Sequence, residues 1–100
     1  MDIKILATDS DGPVGKLADV ELHFPGEPLD GLKLVGFGVW ERGSAGGRSV
    51  TFPARQYSVN GERRSFMLLR PIADHDASDA LRGRILEAFA AFEGDQSPAR

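Results

Sequence analysis

One hundred residues fit a single domain, and 41% hydrophobic with 27% charged residues is the composition of a folded chain, not a disordered one. The absence of cysteine excludes disulfides, thiolate metal sites and a cysteine nucleophile. The net charge of −3 argues against a generic nucleic-acid binder, and no apolar run approaches the ~20 residues of a membrane-spanning helix.

Asp2 and Lys4 follow Met1 where a secretory leader would be basic and then apolar, so a cytoplasmic location is expected. Residues 2–7 read as a short strand. The stretch 9–13, DSDGP, is turn chemistry. In residues 16–24, Ala18, Val20, Leu22 and Phe24 alternate with Asp19, Glu21 and His23, the period of a half-buried antiparallel strand.

PGEPLDG (25–31) ends that strand. Residues 31–41 are apolar on both faces, as a central strand requires. Gly36 and Gly38 leave room there for a bulge or a close neighbour. No helix follows this GFG, so it is no phosphate loop. RGSAGG (42–47) reads as a flexible loop.

Residues 48–57 read as a strand with Val50 and Phe52 inward. Pro53 cannot donate to the ladder, so this strand is an edge or bulges there. Asn60-Gly61 signals a tight hairpin turn, because both central positions of a type I′ turn need positive φ. Residues 63–72 return as the partner strand, stopped by Pro71.

The last element is a helix. Asp76 or Ser78 can cap it, and Asp79 stands in its first turn. Leu81, Ile85, Ala88, Phe89 and Phe92 form one apolar stripe, and Gly94 suits the position just past its end. The expected fold is α+β: an antiparallel sheet of about five strands followed by one C-terminal helix. It occupies residues 1–94 as one domain, with a disordered tail at 95–100.

Charge is unevenly spread. Residues 1–41 carry three lysines against eight carboxylates, a net −5, and residues 42–84 carry eight arginines against four carboxylates, a net +4. Every cation in that middle segment is Arg, whose planar donor fork suits phosphate. Arg55, Arg63 and Arg64 cluster on the hairpin, and Arg82 and Arg84 stand near the helix start. Such arginines either keep an exposed edge soluble or meet a polyanion. Tyr57 and Trp40 are either base-stacking rings or ordinary sheet aromatics.

No enzyme is expected, because G-x-S-x-G, H-E-x-x-H and phosphate-loop motifs are all missing from the sequence. Neither a metal nor a cofactor is expected. The adjacent Asp74, His75 and Asp76 lack the spacing that puts ligands on one face.

Four motifs occur in order: Phe52-Pro53-Ala54-Arg55, Asn60-Gly61-Glu62-Arg63, Arg70-Pro71-Ile72 and Arg82-Gly83-Arg84-Ile85. With the strands at 16–24 and 31–41, this series resembles the stage V sporulation protein G (SpoVG) family, as a divergent member. The resemblance covers most of the chain. It implies a small bacterial α+β regulator that binds DNA or RNA as a homodimer, with a basic surface at Arg55, Arg63, Arg64, Arg82 and Arg84. The chain departs from the family pattern in three places. Gln56 stands where a second basic residue is usual, the loop 42–47 is enlarged, and the connection before the helix is longer and acidic. Asp79 lies one turn from Arg82 and could partly neutralise it. Short length and an open sheet edge also favour pairing with a second copy. The competing expectation is a protein-interaction module on the same scaffold, meeting a partner through the acidic face of 16–24 or by strand addition.

Overall fold

The computed structural model describes residues 1–8, 12–43 and 47–96. The fold is α+β, with six antiparallel strands and one C-terminal helix. The expected turn at 9–13, the loop at 42–47 and the tail at 95–100 lie partly outside the described residues.

Strands β1 (Asp2–Ala7), β2 (Lys16–His23), β3 (Lys33–Arg42) and β4 (Gly47–Thr51) form one meander in the order β1-β2-β3-β4. Strands β5 (Ala54–Val59) and β6 (Glu62–Met67) form a separate two-stranded sheet. The single strand expected over 48–57 is therefore two strands, and the sheet of about five is a sheet of four plus a ribbon of two. Pro53 is the reason. It ends the ladder of edge strand β4, and the chain leaves the sheet there.

The alternation of β2 does what its period dictates. Ala18, Val20 and Leu22 are buried, while Asp19, Glu21 and His23 face the other way. β3 does not keep one parity. Val20 pairs with Phe37 but Leu22 pairs with Leu34, so β3 carries an extra residue between them. Gly36 sits in that bulge at φ 111°. The bulge turns Leu34, Phe37 and Val39 to the same side and leaves Val35 exposed.

Helix α1 (Asp76–Gln96) covers that side, packing against β1 and β4. Its stripe is the expected one: Ile85 and Phe89 are buried, and Leu81 and Phe92 pack beside them. The start differs from expectation. The Asp76 N–H donates to Asp74 Oδ1 at 3.0 Å, whereas the buried Ser78 hydroxyl donates back to the His75 carbonyl at 3.2 Å. Gly94 does not end the helix, which runs on to Gln96.

Phe52 and Pro53 join the two sheets. Phe52 is buried edge-to-face against Phe37, with ring centroids 5.2 Å apart. Pro53 is seated on the bulge: a Cβ built at Gly36 would lie 2.8 Å from Pro53 Cβ. The Pro53 carbonyl accepts from the Leu68 N–H at 2.9 Å, closing the base of the ribbon. The same glycine that shifts the β3 register thus makes room for the residue at which the ribbon departs. The ribbon then extends from the body, giving extents of 54 × 37 × 26 Å and a radius of gyration of 15.3 Å. A compact chain of this length would have about 13 Å.

Candidate nucleic-acid interface

The Asn60-Gly61 turn sets the geometry of the ribbon. Both residues have positive φ, 52° and 83°, as a type I′ turn demands. Val59 is then opposite Glu62, and each step back from the turn fixes another pair: Ser58 with Arg63, Tyr57 with Arg64, Gln56 with Ser65, Arg55 with Phe66. Directly paired residues share a face, and faces alternate along each strand. One face therefore carries Arg55, Tyr57, Val59, Glu62, Arg64 and Phe66. The other carries Ala54, Gln56, Ser58, Arg63, Ser65 and Met67.

The first face is a checkerboard. Each arginine is the cross-strand partner of an aromatic residue, Arg55 of Phe66 and Arg64 of Tyr57. The two rings meet along one diagonal, edge-to-face, with centroids 5.7 Å apart. Tyr57 is 41% exposed and Phe66 42%. Arg64 Nη2 donates to Glu62 Oε1 at 2.9 Å, and both side chains stay mostly in water. A pair so exposed is worth about 0–1 kcal/mol, so an incoming phosphate can displace Glu62. Among the described residues, Arg55 has no ion-pair partner. On the second face Arg63 Nη2 donates to Gln56 Oε1 at 3.5 Å, a long contact.

The five arginines do not form one surface. Arg55 and Arg64 lie on the aromatic face of the ribbon, and Arg63 on its reverse. Arg82 belongs to the body. Its guanidinium lies 4.7 Å from the Phe52 ring centroid and donates to Asp79 Oδ1 at 3.3 Å. The neutralisation expected from Asp79 is thus present. Arg84 borders a shallow hollow with Asp2, Lys4 and Glu87, beside β1 at the sheet edge opposite β4.

Two carboxylates of the acidic part of the chain are paired where they stand. Asp19 pairs with Lys16. Glu21 Oε1 contacts His23 Nε2 at 3.0 Å and Lys33 Nζ at 3.3 Å. The His23 hydrogen bond, with Lys33 behind it, holds the Glu21 carboxyl below its ordinary value against some desolvation. Trp40 is engaged in the same outer face. Its Nε1–H donates to Thr51 Oγ1 at 2.9 Å, the indole covers Gly38, and the Lys16 ammonium lies 5.6 Å from the ring.

His75, Asp76 and Asp79 bring three donor atoms within 4.8 Å of one another, all exposed. Asp79, four residues on from His75, joins the adjacent His75 and Asp76 to make this group. Both Asp79 oxygens are already engaged, Oδ2 with His75 Nδ1 at 2.6 Å and Oδ1 with Arg82.

Sequence reasoning did not place Phe66 beside Tyr57 or pair either ring with an arginine. The signal was available, because a two-residue turn fixes every cross-strand pair by counting outward. No protein-family model, curated protein or solved structure matches the chain.

Proposed function

We propose that the protein is a small bacterial regulator, a divergent SpoVG-like chain acting in the cytoplasm without catalysis, that binds DNA or RNA through its arginine ribbon. The observation that carries this reading is the ribbon itself. Every residue of β5 and β6 is exposed, and the twelve positions hold Arg55, Arg63 and Arg64 against Glu62 alone. A hydrophobic body has no need of such an arm, whereas a polyanion does. Arg84 and a displaced Arg82 are secondary contacts, and a homodimer would present two ribbons to one strand.

The test is titration of purified protein against labelled single-stranded RNA, single-stranded DNA and duplex DNA at two salt concentrations. Three phosphates neutralised on a single strand give a log–log salt slope of about −2. Arg63→Glu with Arg64→Glu should abolish binding while thermal unfolding stays unchanged. Unaltered affinity would refute the ribbon as the interface.

A second reading, an assembly module that meets another protein, draws on a different observation. The bulge in β3 leaves Val35 52% exposed, and Leu32 just before it is 58% exposed. Partner capture that survives nuclease treatment favours this reading, and loss of the partner on nuclease treatment removes it.

A further inference from the structure

The ribbon has two faces, and only one carries rings. Each face carries a net charge of +1, Arg55 and Arg64 with Glu62 on one and Arg63 on the other, so net charge by itself does not choose which side turns to the ligand. Tyr57 and Phe66 are each about two-fifths exposed. Neither lies in the hydrophobic core. The cation–π contacts among the described residues are made by Lys16, Arg48 and Arg82, not by Arg55 or Arg64. On the ribbon, rings and guanidinium groups are therefore separately available to a ligand.

Resting on the nucleic-acid reading above, we infer that the face bearing Arg55, Tyr57, Arg64 and Phe66 is a stacking platform for single-stranded nucleic acid. A base stacks on one ring of the edge-to-face pair, and the arginines on the crossing diagonal take the phosphates on either side. Two physical arguments select a single strand. A ring can stack only on a base whose face is free, and in a duplex the faces are buried in the stack and only edges reach the grooves. A duplex would engage the arginines and leave both rings in water. Charge also selects against a second copy of the same face, since that would set Arg55 and Arg64 against their own counterparts.

A cross-strand aromatic pair also stabilises a hairpin, so loss of the rings alone does not identify a platform. The experiment therefore varies the ligand first. Affinity of the unmodified protein is measured for a twelve-nucleotide thymidylate, the matching uridylate, an abasic strand of equal length and charge, and a duplex. Stacking on one base is expected to favour the thymidylate or uridylate over the abasic strand by at least about fivefold. Tyr57→Leu with Phe66→Leu, which keeps the ribbon apolar, should erase that difference and leave the abasic affinity unchanged.

Equal affinity for abasic and base-bearing strands, with steep salt dependence, overturns the platform and leaves the nucleic-acid reading standing. Tighter binding of the duplex than of either single strand overturns it too. Failure to bind any probe at low salt overturns both.

Discussion

The body and the ribbon are made by opposite rules. In the body, β2 and β3 bury Ala18, Val20, Leu22, Phe37 and Val39 under the helix, and side-chain packing decides which way each residue turns. In the ribbon no residue is buried, and the turn decides. A two-stranded hairpin is marginal by itself in water. Here its base is closed by the Leu68–Pro53 hydrogen bond and set on the body at the Gly36–Pro53 seat. Its length is held by the positive-φ turn and cross-strand pairs. The comparison teaches where to look for function: a region that adds little to the core yet carries three exposed arginines and two exposed rings is explained by what it presents, not by what it packs.

The sharpest way to break the comparison is to damage one region and watch the other. Phe37→Ala removes a ring that is 1% exposed and abandons Phe52 beside it. It should cost about 3–5 kcal/mol in urea denaturation. Tyr57→Leu with Phe66→Leu should cost under about 1.5 kcal/mol by the same measurement. Comparable losses would mean that the ribbon rings belong to the cooperative core.

Gly36→Ala addresses the joint between the regions. The new Cβ meets Pro53 and adopts a strained φ, so stability should fall by about 1–3 kcal/mol. Because Pro53 sets where the ribbon leaves, the nucleic-acid affinity proposed for the ribbon should fall as well, although residue 36 is not among the arginines. Lost stability with full affinity at a temperature where the variant is folded would show that the seat does not aim the ribbon.

The two regions also differ in how far sequence reaches. The body's pattern is local: the alternation in 16–24 and the stripe from Leu81 to Phe92 state their own buried faces. The β3 parity was misleading, since Leu34 and Phe37 look opposed and lie together. A bulge adds one residue and flips everything beyond it, and only the pairing with β2 shows on which side Gly36 places it. At Pro53 the sequence shows a broken ladder, but whether the strand bulges or changes sheets depends on what covers Gly36. The helix outruns Gly94, and Asp74 caps the start from two residues before Asp76. In the ribbon the existence of the hairpin and its arginines is legible, and the register is legible too. Helical spacing already pairs Arg82 with Asp79; what periodicity could not reveal is that the Arg82 guanidinium also lies over Phe52, because Phe52 is brought to the helix start only by the fold.

Gly61→Val sharpens the difference on a smaller scale. Its φ of 83° suits glycine, and a β-branched residue there costs about 1–2 kcal/mol. That cost should appear locally. Amide hydrogen exchange in residues 54–67 should accelerate about tenfold, while amides of 18–22 and 85–89 and the main thermal transition stay put. Uniform acceleration in both sets would mean that ribbon and body open together.

The smallest effect lies on the acidic face of the body and concerns pH. Glu21 titrates below its ordinary 4.5 in the folded chain, chiefly through the His23 hydrogen bond with help from Lys33. A carboxyl whose folded value is depressed stabilises the fold above its unfolded value and loses that contribution as pH falls through the folded one. The wild type should therefore lose stability more steeply on acidification below about 4.5 than Glu21→Gln, which has no proton to gain. Because Glu21, His23 and Lys33 lie on the outer face of the sheet and the ribbon carries none of them, the nucleic-acid affinity proposed for the ribbon should be the same in both proteins near neutral pH. If Glu21→Gln instead changed affinity near neutral pH, the acidic face would be influencing the ribbon's ligand, and the division of the molecule into an acidic body and an independent cationic arm would have to be abandoned.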